Sequence, residues 1–385
     1  MSVTAPKGFV AGGMHAGVKA PGVPDLAIIS AGHPVVAAAV FTSNRAAAAP
    51  VTLSRTHVAN GYAEAVVINS GNANAGTGTT GHADAARMAT ATAGALECAV
   101  TDVLVCSTGP IGVPLPIDAL EEGIALLSDE LGGSPTHGKA AATAIMTTDT
   151  YPKTSVHVGD EWTIGGIAKG AAMVRPDMAT MLAVVTTDAA IGIEQARAAL
   201  RDAVDATFNQ LNIDGCTSTN DTVILLASGA SGQQAEEEAF ADALTAVCES
   251  LARQIARDGE ETTKVIDLVV EGAPSDAAAR SLGLEISDSD LVRSSFHGGD
   301  PNWGRILQAA GQSAVGLDPA QLRVSYDDTL VAEHGVAVAH DRADLVGRLS
   351  GDFTVVVGVG DGPGSARIVT TDLSPGYVTF NAEPS

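Results

Sequence analysis

A chain of 385 residues, 45% of them hydrophobic, has room for two or three domains and a sizeable core. With aromatics at 3%, that core is packed from Ala and Val, and a site built on aromatic platforms is not expected. A formal charge of −24 argues against sequence-independent nucleic-acid binding and against an anionic membrane surface, since both need clustered Lys and Arg.

The same acidity suits a soluble, cytoplasmic protein and makes its few loop cations informative, because an anionic substrate needs local positive charge. Cys98, Cys106, Cys216 and Cys248 stand far apart with no C-x-x-C pair, so neither a zinc site nor a disulfide framework is expected. The start, MSVTAPKGFVAGGMH, lacks a basic region followed by an apolar core, and no run reaches the ~18 apolar residues of a membrane helix.

Taken in order, Ile28–Thr42 (IISAGHPVVAAAVFT) reads as two strands with a turn at Gly32 and Pro34. Ala63–Asn69 is a strand that runs into the Gly-rich Ser70–Gly78, the position where α/β folds place ligands. That loop matches neither phosphate-binding pattern. A helix is expected over His82–Leu96, then the strand Asp102–Cys106, ending in Ser107-Thr108-Gly109-Pro110-Ile111-Gly112. Such a turn either reverses the chain or presents N–H donors to a developing oxyanion. Helices follow at Ile117–Leu127 and Lys139–Ala144, then the hydroxyl-rich Ile145–Thr150 and the strand Trp162–Ala168.

Lys169–Asp188 (KGAAMVRPDMATMLAVVTTD) carries a charged cluster into an apolar run, with Thr180 at the junction. Beyond it, Ile193, Ala196, Leu200, Ala203, Val204 and Phe208 recur at helical spacing, as do Phe240, Leu244, Val247, Leu251 and Ile255. Between these helices lies the polar run Asn212–Thr222, followed by the strand Val223–Ala227. Gly259 suits a helix end, and Glu260 reads as a surface carboxylate or as a ligand for a cationic group. Strands are expected at Val265–Val270, Arg323–Tyr326, Thr354–Val359 and Ala366–Thr370. His297–Arg305 gathers polar groups, Gly and Trp303. The mixture of strands and helices in both halves argues an α/β or α+β fold.

Neither G-x-S-x-G nor H-E-x-x-H occurs, so a histidine-dependent hydrolase has no support. A threonine nucleophile that brings its own base is an N-terminal one, whose α-amine, with a pKa of about 7.7–8.0, is partly neutral near pH 7–8. An internal Thr180 gains that amine only if the Ala179–Thr180 bond breaks. Taken alone, Thr180 also fits a plain strand residue.

The motifs resolve the choice by resemblance. Lys169–Met173 with Pro176–Leu182 resembles the autoprocessing signature of the glutamate N-acetyltransferase/ornithine acetyltransferase family of arginine biosynthesis. NSGNANAGTG (Asn69–Gly78), STGPIG (Ser107–Gly112), IMTTDT (Ile145–Thr150), TSTNDT (Thr217–Thr222), DGE (Asp258–Glu260) and HGGDPNWGRI (His297–Ile306) look like further family motifs in family order. The resemblance implies a layered α-β-β-α core in two α/β halves with the site between them. It also implies self-cleavage into an α chain, 1–179, and a β chain, 180–385, assembled as an α2β2 heterotetramer.

Thr180 would carry the acetyl group from N-acetylornithine, releasing ornithine, to glutamate, without a cofactor or metal. Acetyl-CoA would enter only as a substrate of a bifunctional member. Thr108 and Gly109 match the oxyanion-hole pair, and Thr147, Lys169, Thr180, Glu260 and Asn381 the substrate contacts. Ser385 matches the last contact, in an ending one residue shorter than the usual one. Lys169 is expected near a substrate carboxylate and Glu260 near the ornithine amine. Two other readings fit parts of the pattern: a related N-terminal-nucleophile aminopeptidase or amidohydrolase, and a non-catalytic amino-acid-binding protein.

Overall fold

The computed structural model describes residues 2–172 and 181–382. In chain order the strands are Val10–Met14 (β1), Leu26–Phe41 (β2), Tyr62–Ser70 (β3), Val103–Thr108 (β4), Lys153–Val158 (β5), Thr163–Lys169 (β6), Leu182–Thr187 (β7), Leu211–Asn212 (β8), Thr222–Ala227 (β9), Val265–Ala273 (β10), Arg323–Tyr326 (β11), Thr329–Glu333 (β12), Val336–Ala337 (β13), Phe353–Gly358 (β14) and Gly364–Thr371 (β15). The helices are Ala49–His57 (α1), Gly78–Leu96 (α2), Ile117–Ser128 (α3), Pro135–Ala144 (α4), Ile193–Ala206 (α5), Glu237–Arg257 (α6), Asp276–Ser287 (α7), Asp290–His297 (α8), Trp303–Gly311 (α9), Arg342–Arg348 (α10) and Pro375–Ala382 (α11). The expected mixed α/β class is the observed one. The chain forms two compact units, Met1–Asn209 with Cys216–Ile255, and Gln210–Gly215 with Ala256–Ser385.

In the first unit the strand order is β4-β3-β2-β9-β7-β6-β5, with β1 added to β2. Laid flat, β4 and β6 would be five strand spacings apart, about 24 Å. Yet Lys169 Nζ at the end of β6 lies 3.2 Å from Thr108 Oγ1 at the end of β4. The sheet therefore folds over on itself, and β2 is the strand that bends. Its first half pairs with β3 and its second half with β9, and the register slips between Ser30 and Val35. The exposed Gly32-His33-Pro34 occupies the slip, with Gly32 at φ +70°. Two strands and a turn become one bent strand.

Period-two alternation then sorts the side chains into layers. Ile68, Leu104 and Cys106 from one limb and Ile167, Leu182, Val184, Ile224 and Leu226 from the other share the inner core. Leu26, Ile28, Val67, Val103 and Val105 face outward, where α2 and α3 cover them with Met88, Ala89, Leu120 and Ile124. On the other outer face α5 packs on β2 and β9. There α6 brings Val247 and Leu251 to Gly166. The implied α-β-β-α layering is thus completed within this unit alone. Between the two β-layers the chain start is threaded so tightly that a Cβ on Gly165 would come 2.1 Å from the Ser2 carbonyl oxygen.

The second unit carries the sheet β13-β12-β11-β14-β10-β15-β8. One face is covered by α7, α8, α9 and α10 around Leu268, Val270, Leu282, Phe296, Ile306 and Phe353. The sequence motif at His297–Arg305 is framework here. His297 Nδ1 lies 2.7 Å from Asp372 Oδ2, Lys264 Nζ donates to the carbonyls of Phe296 and His297 at 2.9 Å, and the Asn302 side chain caps α9. Burial opposes ionisation of Asp372, but donors from Thr263, His297 and Lys264 hold its carboxyl below the ordinary range.

Candidate active site

The site begins where the sheet closes. β4 delivers Thr108, 2% exposed, and β6 delivers Lys169, also 2% exposed, to the same place. Asparagines fix the turn after β4. Asn69 accepts from Ser107 Oγ at 2.6 Å and donates to the Asn72 carbonyl at 2.9 Å. The Asn72 N–H donates to the Thr108 carbonyl at 3.0 Å, and the Asn220 amide reaches the carbonyls of Ala73 and Ser107 at 2.6 and 2.9 Å. Gly109 has φ +141°, and a Cβ there would come 2.4 Å from the Asn72 nitrogen. No other residue fits that position.

Asp149 organises the cation side. Its carboxylate accepts Lys153 Nζ at 2.6 Å, the Gly170 N–H at 2.8 Å and the Thr147 N–H at 2.8 Å. Thr147 is thereby oriented by a loop turn, and Gly170 is tied down directly after Lys169. Burial opposes ionisation of Asp149, but the Lys169 and Lys153 ammonium groups outweigh it and hold the carboxyl at about 2. Lys153 and Asp149 form a fully buried ion pair. Lys19 donates to the Met146 and Pro24 carbonyls.

The described chain resumes at Met181, whose N–H donates to Asp221 Oδ1 at 2.8 Å. Leu182 pairs with Lys169 on one side and with Thr222 on the other. Asp221 is fully buried, which pushes its carboxyl well above the ordinary range despite the Met181 N–H, the Lys169 charge and Ser218. The polar run before β9 is therefore site scaffolding. Thr42 Oγ1 donates to the Ser218 carbonyl at 2.8 Å, and Thr222 Oγ1 to that of Asn220 at 3.1 Å.

Of the residues singled out by sequence, Thr108, Gly109, Thr147 and Lys169 come together in the first unit. Glu260 and Asn381 belong to the second unit and pair there, Asn381 Nδ2 donating to Glu260 Oε2 at 3.1 Å. Ala179, Thr180 and Ser385 lie outside the described residues. Sequence reasoning passed over Lys19, Asp149 as a hub, and Lys153. The signal was present in Asp149 and Lys153, four residues apart around Pro152 in a chain poor in cations. Cys106 and Cys248 are buried, Cys98 is half-buried and Cys216 is exposed. No described group of three or more His, Cys, Asp or Glu could hold a metal ion, and no described helix is long and apolar enough to cross a membrane.

Ionisable groups buried where strand ends converge, beside a glycine turn that admits no side chain, mark a catalytic site. Fold and site together define an enzyme of the layered α-β-β-α class. The chain belongs to the ArgJ family, whose profile matches residues 10–384. Arginine biosynthesis bifunctional protein ArgJ of Mycobacterium bovis is 45% identical over 387 residues, spanning 99% of this chain and 95% of its own. The protein of the same name from Streptomyces coelicolor is 45% identical over 383 residues, spanning 99% of both. A crystal structure of ornithine acetyltransferase complexed with ornithine, from Mycobacterium tuberculosis, is 47% identical over 46% of this chain and 94% of its own, with a TM-score of 0.44.

Proposed function

We propose that the chain transfers an acetyl group from N-acetylornithine to glutamate through an acetyl ester on Thr180. The observation that carries this is the meeting of Lys169 with the Thr108–Gly109 turn, in a chain that matches the ArgJ family almost end to end. The Thr180 hydroxyl first attacks the Ala179 carbonyl, the acyl group shifts from N to O, and water releases the upstream chain, leaving a free α-amine. That amine then takes the hydroxyl proton as Oγ attacks the acetyl carbonyl. The tetrahedral oxyanion faces donors at Thr108 and Gly109 and collapses, and the departing ornithine nitrogen takes the proton. Glutamate's amine attacks the ester in the reverse sense and leaves as N-acetylglutamate.

Lys169, buried and cationic, suits a substrate carboxylate, and Thr147 lies on the loop that Asp149 ties to it. Glu260, held by the Asn381 amide, suits the ornithine side-chain amine. Glu260→Lys should weaken ornithine binding at least tenfold by calorimetry, and an unchanged affinity removes the assignment. The cut chains are proposed to assemble as an α2β2 heterotetramer in the cytoplasm, with no cofactor.

The deciding experiment mixes purified protein with N-acetylornithine and glutamate and follows products. N-acetylglutamate forming faster than free acetate supports transfer, and acetate alone means a hydrolase. Thr180→Ala should run as one band on a denaturing gel and be inactive, where the parent chain runs as two. A second activity is favoured by the name of the relatives, bifunctional: release of CoA from acetyl-CoA in the presence of glutamate would establish it.

A further inference from the structure

Lys19 belongs to none of the motifs above, yet the structure fastens it to them. Its stem lies against the turn after β3, so that a Cβ on Gly71 would come 2.7 Å from Lys19 Cγ. Gly71 in turn backs onto Gly109, whose own Cβ would come 2.5 Å from the Gly71 carbonyl carbon. At the head, Nζ donates to the carbonyls of Pro24 at 3.0 Å and Met146 at 2.5 Å, and Met146 is the residue before Thr147. An ammonium group has three donors, and these two bonds leave one.

The loop that presents Lys19 is built round a single buried carboxylate. Asp25 accepts the N–H groups of Ala16, Val18 and Lys19 at 2.5, 2.8 and 2.9 Å, and His15 Nδ1 lies 3.1 Å from it. Asp25 is thus occupied by the loop backbone. Asp149 is occupied by Lys153 and by two N–H groups. Lys19 thus shares the field of Asp149 with Lys169 and Lys153, in a chain whose net charge is −24.

We propose that Lys19 is a second carboxylate-binding group of this site, holding one carboxylate of the amino-acid acceptor while Lys169 holds the other. The proposal rests on the acetyl-transfer reading and extends it. Glutamate brings two carboxylates, whereas N-acetylornithine brings one carboxylate and a cationic side chain, so one site must accept opposite charges in successive half-reactions. Burial lowers the Lys19 ammonium to about 8, with Asp25 and Asp149 opposing the shift and Lys169 adding to it. A cation so near neutrality gives up its proton at little cost beside a cationic donor and keeps it beside an anionic acceptor.

The test compares parent enzyme, Lys19→Met and Lys19→Arg, each checked for cutting and melting temperature, with glutamate, glutamine and the α-amide of glutamate as acceptors. Loss of one charge-assisted hydrogen bond should raise the glutamate KM of Lys19→Met by about 10- to 100-fold, with a smaller change in kcat. The penalty should vanish with one of the two amides: glutamine if Lys19 holds the side-chain carboxylate, the α-amide if it holds the other. Lys19→Arg should recover most of the affinity. The parent glutamate KM should climb above about pH 8, and Lys19→Arg should flatten that climb, a comparison that stands even if Lys19→Met does not fold. Equal penalties for all three acceptors, or none, would mean that Lys19 only braces the loops, and the proposal falls. A parent enzyme that forms no N-acetylglutamate overturns the acetyl-transfer reading instead, and Lys19's role with it.

Discussion

Gly109 and Asp149 do the most with the fewest atoms. At Gly109 backbone meets backbone, so Gly109→Ala cannot be absorbed by a rotamer change and must move the Asn72 or Thr108 peptide. On the proposed mechanism this turn supplies the oxyanion donors; shifting such donors costs on the order of 100-fold in kcat, and steady-state kinetics on folded Gly109→Ala should show a loss at least that large. Asp149 makes a different kind of prediction. Its folded carboxyl sits at about 2, below the ordinary 3.8, so the folded state releases that proton more readily than the unfolded chain. The stabilisation is complete above about pH 4 and is lost as the pH falls towards 2. Removing its partner should show at neutral pH: Lys153→Met leaves a buried carboxylate short of a cation and should cost about 3–5 kcal/mol in urea unfolding.

At the scale of elements, the sheet's fold-over explains both what the sequence revealed and what it hid. The strands Ala63–Asn69 and Val223–Ala227 and the helices after Thr186 were legible because their apolar periods are clean, and they appear within a few residues of expectation. The meeting of Thr108 with Lys169 was not legible from periodicity. Period two assigns a residue to a face, but it does not say that a sheet will bend until its ends touch. That contact depends on the slip between Ser30 and Val35, in a stretch that sequence alone read as an ordinary turn. The helices α7 to α9 were passed over because Gly and Pro break the region's helical periods, as at Gly283, Gly298, Gly299 and Pro301. Site residues came through motif resemblance, whereas Lys19, in an otherwise plain loop, needed the structure.

Two glycines test this packing account in opposite directions. Gly165→Ala sets a methyl against the Ser2 carbonyl between the layers and should destabilise by about 1–3 kcal/mol. Gly94, exposed near the end of α2, has nothing within 4 Å of an added Cβ, and Gly94→Ala should stabilise by about 0.5–1 kcal/mol. Chemical denaturation of both variants checks the signs.

For the whole molecule, charge and chain connectivity matter most. A net charge of −24 makes the folded state repel itself, and raising salt from about 10 to 150 mM shortens the screening length from about 30 to 8 Å. The melting temperature should rise by about 1–3 °C across that range, as a thermal scan would show.

The strand order has one more consequence. β9 and β7 sit between β2 and β6, so a cut before residue 180 leaves two strands of the later fragment clasped between strands of the earlier one. Neither piece holds the whole sheet of the first unit, and the interleaving cannot be assembled by docking finished halves. On the proposed mechanism the break must therefore come after folding, which would make it a certificate of correct folding: only a chain that has closed its sheet brings Thr108, Lys169 and the start of β7 together and would acquire its nucleophile. It is also a one-way door. Once cut, the two pieces share no covalent link, so recovery from denaturant becomes a second-order process that fails on dilution, whereas uncut Thr180→Ala should refold at any concentration.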